Sequence, residues 1–127
     1  VVHSDDGLDE ISVSAPTTVI EVRDGEVVGE WRVKPDQIGV RSDESDSLKG
    51  GDAAENLRRM RAILGGQEES AASEAVALNA AAALYVAELA PNLKEGLETC
   101  RGLLRAGTAL ECLQRLAQRS GELTRNA

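Results

Sequence analysis

The stretch from Ala75 to Ala87 constrains the fold more than any other part of the chain. Around alanines, Val76, Leu78, Leu84, Tyr85 and Val86 it carries a single strongly polar side chain, Asn79. A run this short cannot cross a bilayer, which takes roughly 18 or more apolar residues. A helix without a polar face belongs inside protein, with neighbours on every side. The pattern predicts such a helix from about Ser73 to Leu89, stopped by Pro91. Asn79 must then find hydrogen-bond partners or cost about 1–3 kcal/mol, and its expected role is to tie the helix to a neighbouring loop.

The rest of the chain divides at Gly51, where the apolar period changes from two to about 3.6. Over residues 1–33 the pattern predicts a strand at Val1-Val2, an acidic loop and a short strand or turn near Leu8–Ile11. A β-hairpin follows from Thr18 to Val33. Its turn is Asp24-Gly25, suited to the type I′ geometry in which both central residues take positive φ. Ile20 and Val22 are expected on one face of the first strand, and Val27, Trp31 and Val33 on one face of the second. Residues 34–51 are expected to form a connecting loop, with Asp43, Glu44 and Asp46 on its solvated surface.

Residues 52–119 read as helical. Asp52 caps the first helix, with Glu55 three positions on; Ala53, Leu57, Met60 and Leu64 form its stripe, and Gly65-Gly66 ends it. Asn92 with Glu95 starts the third helix, lined by Leu93, Leu97, Cys100, Leu103 and Leu104 up to Gly107. Thr108-x-x-Glu111 is a capping box for the fourth, whose Leu110, Leu113, Leu116 and Ala117 are expected to face inward. The tail, 120–127, is expected to fray. The result is a mixed α/β domain with a short strand, a hairpin and about four helices.

Composition narrows the function. With 127 residues, 42% apolar and 28% charged, the chain suits one soluble globular domain. No secretory leader is expected, and a cytoplasmic location is expected. Its 14 basic residues against 22 acidic ones, with no basic block, give no footprint for a phosphate backbone, so nucleic acid is not an expected partner. Cys100 and Cys112 read as small buried thiols in a reducing compartment, with a disulfide as the other reading. Phe is absent, so small aliphatics must fill the core, and added support from further structure is expected. The start at Val1-Val2 rather than Met reads as the later part of a longer protein.

The opening loop is the strongest candidate for chemistry, since Asp5, Asp6, Asp9 and Glu10 gather just after a strand. Ligands of open α/β sheets bind beyond the carboxyl ends of strands. Adjacent Asp9 and Glu10 can hold Mg²⁺, which takes one or two carboxylates, waters and substrate phosphate oxygens. The plainer reading is an acidic surface turn, against which Leu8 and Ile11 anchor the pair on apolar residues. His3 with a neighbouring serine makes a weak case for a hydrolase, and a solvent-facing histidine is preferred. Gly50-Gly51-Asp52 precedes a helix, where free amides bind phosphate; Asp52 supplies its own carboxylate instead, and a cap is preferred. Arg58, Arg59 and Arg61 read as a solvated face.

Taken in order, these segments resemble one family. Val1-Val2-His3 followed by Asp6-Gly7-Leu8-Asp9-Glu10-Ile11-Ser12 resembles the VVHG and DGLDE segments of anthranilate phosphoribosyltransferases. The resemblance continues through Pro16-Thr17-Thr18 with Glu21 and through Pro35 to Gly39. It goes on with Leu48-Lys49-Gly50-Gly51-Asp52 and Glu55-Asn56, then Leu64-Gly65-Gly66, and ends in Leu78-Asn79-Ala80-Ala81-Ala82. It implies the later part of a nucleoside-phosphorylase/phosphoribosyltransferase-type α/β domain. It also implies transfer of a phosphoribosyl group from phosphoribosyl pyrophosphate to anthranilate, with Mg²⁺ on the pair that Asp9 and Glu10 match. No catalytic side chain of this chain is implied. The family's glycine-rich loop, its acceptor-contacting arginine and the helical domain that mediates its homodimer match nothing in this chain. The resemblance therefore implies an incomplete active site completed by an N-terminal portion of the same protein, and no homodimer is carried over. Ser4 stands where the family has Gly, expected to stiffen the loop, and Leu57 where it has Ala, expected to adjust core packing. A non-catalytic module that kept the fold, or a related phosphoribosyltransferase with another acceptor, are the competing readings. A part of a larger enzyme should expose apolar surface that an independent module would have repacked.

Overall fold

The computed structural model describes residues 1–40 and 48–125, with side chains described through Glu122. Asp43, Glu44 and Asp46 lie outside the described residues. Three strands, β1 (Val2–Ser4), β2 (Thr17–Arg23) and β3 (Glu26–Val33), form an antiparallel sheet in the order β1-β2-β3. A 3-10 turn over Pro35–Ile38 follows. Four helices complete the chain: α1 (Ala53–Leu64), α2 (Ala71–Val86), α3 (Leu93–Arg105) and α4 (Thr108–Arg125). The mixed α/β class, the hairpin and the helix number agree with the sequence. The segment around Leu8–Ile11 is loop rather than strand.

The hairpin turns at Asp24 (φ 53°) and Gly25 (φ 84°), both in the positive region that a type I′ turn requires. One expectation fails in the register. Glu21 pairs Gly29 but Val22 pairs Val27, so Val28 is an extra, bulged residue. The bulge reverses the alternation, placing Val27 with Val22 and Ile20 on the outer face while Trp31 and Val33 face the helices. Val27 and Val22 are accordingly 67% and 51% exposed. The inner face is carried instead by Thr17 and Val19 opposite Val33 and Trp31.

That inner face packs on α2 and α3, with Leu78, Ala81 and Leu97 completely buried between them. Small residues set the spacing of the two helices. A Cβ on Gly96 would stand 3.2 Å from the Cβ of Ala81 and 3.1 Å from its carbonyl oxygen. The single aromatic pair, Trp31 on Tyr85, meets edge-on with ring centroids 6.4 Å apart and closes one end of the layer.

The helix starts follow local chemistry. Asp52 accepts from the Glu55 amide at 2.8 Å and Asn92 from the Glu95 amide at 2.9 Å, as expected. α2 begins earlier than the pattern indicated, because Ser70 and Ser73 form a reciprocal capping box. α4 departs from expectation at both ends. Thr108 is its first residue rather than its cap, with the Glu111 amide donating to Gly107 O at 3.1 Å. At the other end the helix continues through Arg125 where fraying was expected, supported by Gln118 and Arg119 bonding Glu122 across one turn.

Burial corrects several face assignments. α2 buries only the side bearing Ala77, Leu78 and Ala81; Val76, Ala80, Ala83 and Val86 form an uncovered apolar stripe. Leu103 is exposed, and Gly96 takes the buried position that brings α3 against α2. Leu116, 66% exposed, and Ala117 face outward, because α4 meets α1 and α3 only through its first turns, where Leu110 lies against Gly65. Leu57 is exposed and adjusts no core. Cys112 is exposed too; Cys100 alone is buried, its thiol pushed up by burial, and both are free thiols. Among the described residues no helix is long and apolar enough to cross a membrane.

Candidate functional site

The acidic loop runs from the end of β1 to the start of β2 and is built inward from a tight backbone turn. The Gly7 amide donates to Ser4 O and the Ser4 amide to Leu8 O, both at 3.0 Å, with Gly7 at φ 89°. Inside that turn sits Asp6. Its carboxylate accepts from Ser4 Oγ at 2.5 Å, Ser12 Oγ at 2.6 Å and, more weakly, the Leu8 amide at 3.4 Å. These donors, Ser12 first and Ser4 next, hold the Asp6 carboxyl below its ordinary range. Ser12 is fixed in turn: its Oγ accepts from the Ser14 and Ala15 amides, and its own amide donates to Thr17 Oγ1 at 3.1 Å. Ser4, the residue expected to stiffen the loop, is fully buried and donates to Asp6.

The far end of the loop is held from the helical layer. Asn79 Oδ1 accepts from the Ile11 amide at 2.9 Å, while its Nδ2 donates to Ile11 O and to Ala75 O, both at 3.0 Å. The lone polar residue of the apolar helix thus pairs with both backbone groups of one loop residue, as its setting required. Ile11 and Val13 are each 2% exposed and plug the loop into the core.

The four acids therefore separate into three roles. Asp5 pairs with Arg32, which also reaches Thr18. Asp6 is the internal anchor. Asp9 and Glu10 are exposed and make no hydrogen bond or ion pair within the described residues. Held at both ends, the loop leaves the adjacent Asp9 and Glu10 carboxylates exposed, and two hard oxygen donors side by side are the kind of ligand a divalent cation takes. Sequence reasoning did not find the parts of Ser12 and Thr17, nor the bond from Ser4 to Asp6; the short-side-chain-rich spacing around Asp6-Gly7 was the available signal.

The remaining candidates resolve simply. His3 pairs Thr18 across the sheet and is exposed, while Ser4 Oγ and Ser12 Oγ both donate to Asp6, so no histidine–serine pair forms. At the glycine loop, Asp52 takes the Glu55 amide and Asn56 Oδ1 takes the Gly51 amide at 2.8 Å, leaving a cap rather than a phosphate cradle. Arg58 pairs with Glu55 on the solvated face. Arg59 does not belong to that face. It is half-buried, bonding Glu68 at 3.0 Å and Lys49 O at 3.4 Å, and so ties α1 to the segment before α2. Two clefts among the described residues are lined without Asp9 or Glu10. One of about 570 Å³ is lined by Glu68, Glu74, Glu98 and Arg101, the other of about 500 Å³ by Trp31, Tyr85 and Lys94. In the first, Arg101 is already engaged by Glu74, Glu98 and Gly39 O.

Comparison with known proteins agrees with this architecture. A protein named anthranilate phosphoribosyltransferase from Thermomicrobium roseum is 50% identical over 125 residues, covering 97% of this chain and 36% of its own length. One of the same name from Rubrobacter xylanophilus is 43% identical, with 97% and 36% covered. The chain thus spans about a third of the curated relatives it matches. Among solved structures, anthranilate phosphoribosyltransferase from Thermus thermophilus superposes with a TM-score of 0.81 at 36% identity, over 91% of this chain and 33% of that one. The Saccharomyces cerevisiae protein of that name, solved with 4-fluoroanthranilate, shares the fold at a TM-score of 0.78 and 23% identity, over 89% of this chain and 33% of its own. The model of the glycosyl transferase family's a/b domain matches residues 1–110, which takes in the sheet, the acidic loop and the helices that hold it, and the chain belongs to that family.

Proposed function

We propose that this chain is part of an anthranilate phosphoribosyltransferase, supplying the element that neutralises the pyrophosphate leaving group. In the complete protein a phosphoribosyl group passes from phosphoribosyl pyrophosphate to the amine of anthranilate. The C1–oxygen bond to pyrophosphate breaks, the C1–nitrogen bond forms, and the amine loses a proton. The observation that carries the reading is the pair Asp9 and Glu10, exposed carboxylates on a loop held at one end by Asp6 and at the other by Asn79.

The donor set fits Mg²⁺. Among the described residues no group of three or more His, Cys, Asp or Glu is assembled for a metal, so a cation here takes its other oxygens from water and the substrate's phosphates, the usual manner of Mg²⁺. Bound there, Mg²⁺ would offset the charge growing on the departing pyrophosphate. Asp9 and Glu10 would hold it; buried Ile11, clamped by Asn79, sets where they stand, whereas the Leu8 side chain, expected to anchor the pair, is 40% exposed and outside the core. The serines near the loop orient Asp6 and are not nucleophiles.

The uncovered stripe on α2 supports a chain that works within a longer polypeptide rather than a free-standing module, which would have repacked Val76 and Val86. The test follows anthranilate consumption by its fluorescence, with phosphoribosyl pyrophosphate and a Mg²⁺ titration, in the complete protein and in its Asp9→Asn/Glu10→Gln variant. A Mg²⁺-dependent rate that falls in the variant supports the reading. Equal rates across the titration remove the metal role, and no consumption by the complete protein removes the acceptor.

A further inference from the structure

We infer that Asp6 and Asn79 are positioning residues for the Asp9–Glu10 pair, setting its affinity for a divalent cation without touching the cation. The inference rests on the metal reading above. Asp9 and Glu10 have no bonds of their own within the described residues, so their position is inherited from the two ends of the segment that carries them. At one end Asp6 gathers Ser4, Ser12 and the Leu8 amide. At the other, Asn79 holds the amide and the carbonyl of Ile11, the residue directly after Glu10.

Neither anchor has freedom to follow the loop. Asn79 Nδ2 bonds Ala75 O as well as Ile11 O, which fixes the amide plane on α2. The adjacent Leu78 and the nearby Ala81 are completely buried, so the helix behind it is part of the core. Asp6 is bound to Ser12, which is bonded to Ser14, Ala15 and Thr17 and so to the start of β2. The segment from Gly7 to Glu10 is thus a short bridge between the sheet and the helical layer. Cation affinity depends on oxygens converging at one point, and groups that orient the ligands change it by roughly 10–100-fold.

The test uses the complete protein with pyrophosphate, reading free Mn²⁺ by its paramagnetic resonance signal. Asp6→Ala and Asn79→Ala are each expected to weaken Mn²⁺ binding about 10-fold per folded molecule. They should raise the Mg²⁺ needed for half-maximal turnover, with the rate recovering at high Mg²⁺. Hydrogen exchange at the Ile11 amide should speed up in Asn79→Ala and stay slow in Asp9→Asn/Glu10→Gln. If both anchor variants keep Mn²⁺ affinity while the Asp9/Glu10 variant loses it, the positioning role is overturned and the metal reading stands. If the Asp9/Glu10 variant also keeps its affinity, the metal reading itself has failed. Should Asn79→Ala not fold, Asp6→Ala at the exposed side of the loop decides the matter by the same readout.

Discussion

Two loops in this molecule are built alike and end chemically opposite. In each, an asparagine pairs with both the amide and the carbonyl of one backbone residue: Asn79 with Ile11, and Asn56 with Gly51. Each also contains a carboxylate that accepts a backbone amide, Asp6 from Leu8 and Asp52 from Glu55. The glycine loop engages its Asp52 and Asn56 side chains in starting α1. The acidic loop engages Asp6 internally and leaves Asp9 and Glu10 free. What separates the two loops is the presence of donors the fold does not need, rather than the motif that brings them.

The largest expected effect falls on the free pair. Asp9→Asn with Glu10→Gln in the complete protein should lower Mg²⁺-dependent turnover on the order of 100-fold, a size typical of losing one electrostatic stabiliser of developing charge. The melting temperature should hardly move, because neither side chain bonds within the described residues. A variant that melted much lower with normal turnover would make the pair structural and erase the contrast.

Asn79→Leu should have the largest effect on stability, about 2–3 kcal/mol in denaturant unfolding, since it leaves the amide and carbonyl of Ile11 unpaired beside the core. Asp52→Ala, which removes one cap, should cost about 1 kcal/mol with no change in the metal requirement. A shifted Mg²⁺ dependence in Asp52→Ala would mean the glycine loop shares in the site after all.

The smallest effect is on pH. Hydrogen bonds from Ser12 and Ser4 lower the Asp6 carboxyl in the folded chain below its ordinary 3.8. The ionised, bonded Asp6 therefore contributes its full stability above 3.8 and loses it as the pH falls through the lower folded value. Thermal melts between pH 5 and about 3 should show the wild-type advantage over Asp6→Asn shrinking toward the acid end. An advantage that grew in acid would contradict the hydrogen-bonded carboxylate.

Much of the scaffold could be read before any coordinates. The caps at Asp52 and Asn92 and the turn at Asp24-Gly25 are interactions within three residues or a preference for positive φ, so a short window contains their whole cause. The bulge at Val28 was not legible, because an alternating pattern does not reveal where one strand gains a residue on its partner. Nor was the outward turn of Leu116, whose stripe looks the same whether or not a neighbour arrives to cover it.

The sequence by itself determined the order of elements, the starts of α1 and α3, the hairpin and the position of the acidic segment. Local hydrogen bonding and periodicity act over a few residues, and the chain carries them wherever it goes. Asp6 finds Ser4, Ser12 and the Leu8 amide within six positions, but tertiary structure decided what holds the rest of the loop. Asn79 reaches Ile11 across 68 positions, and Asp5 meets Arg32 across 27, so those partners exist only once sheet and helices have packed.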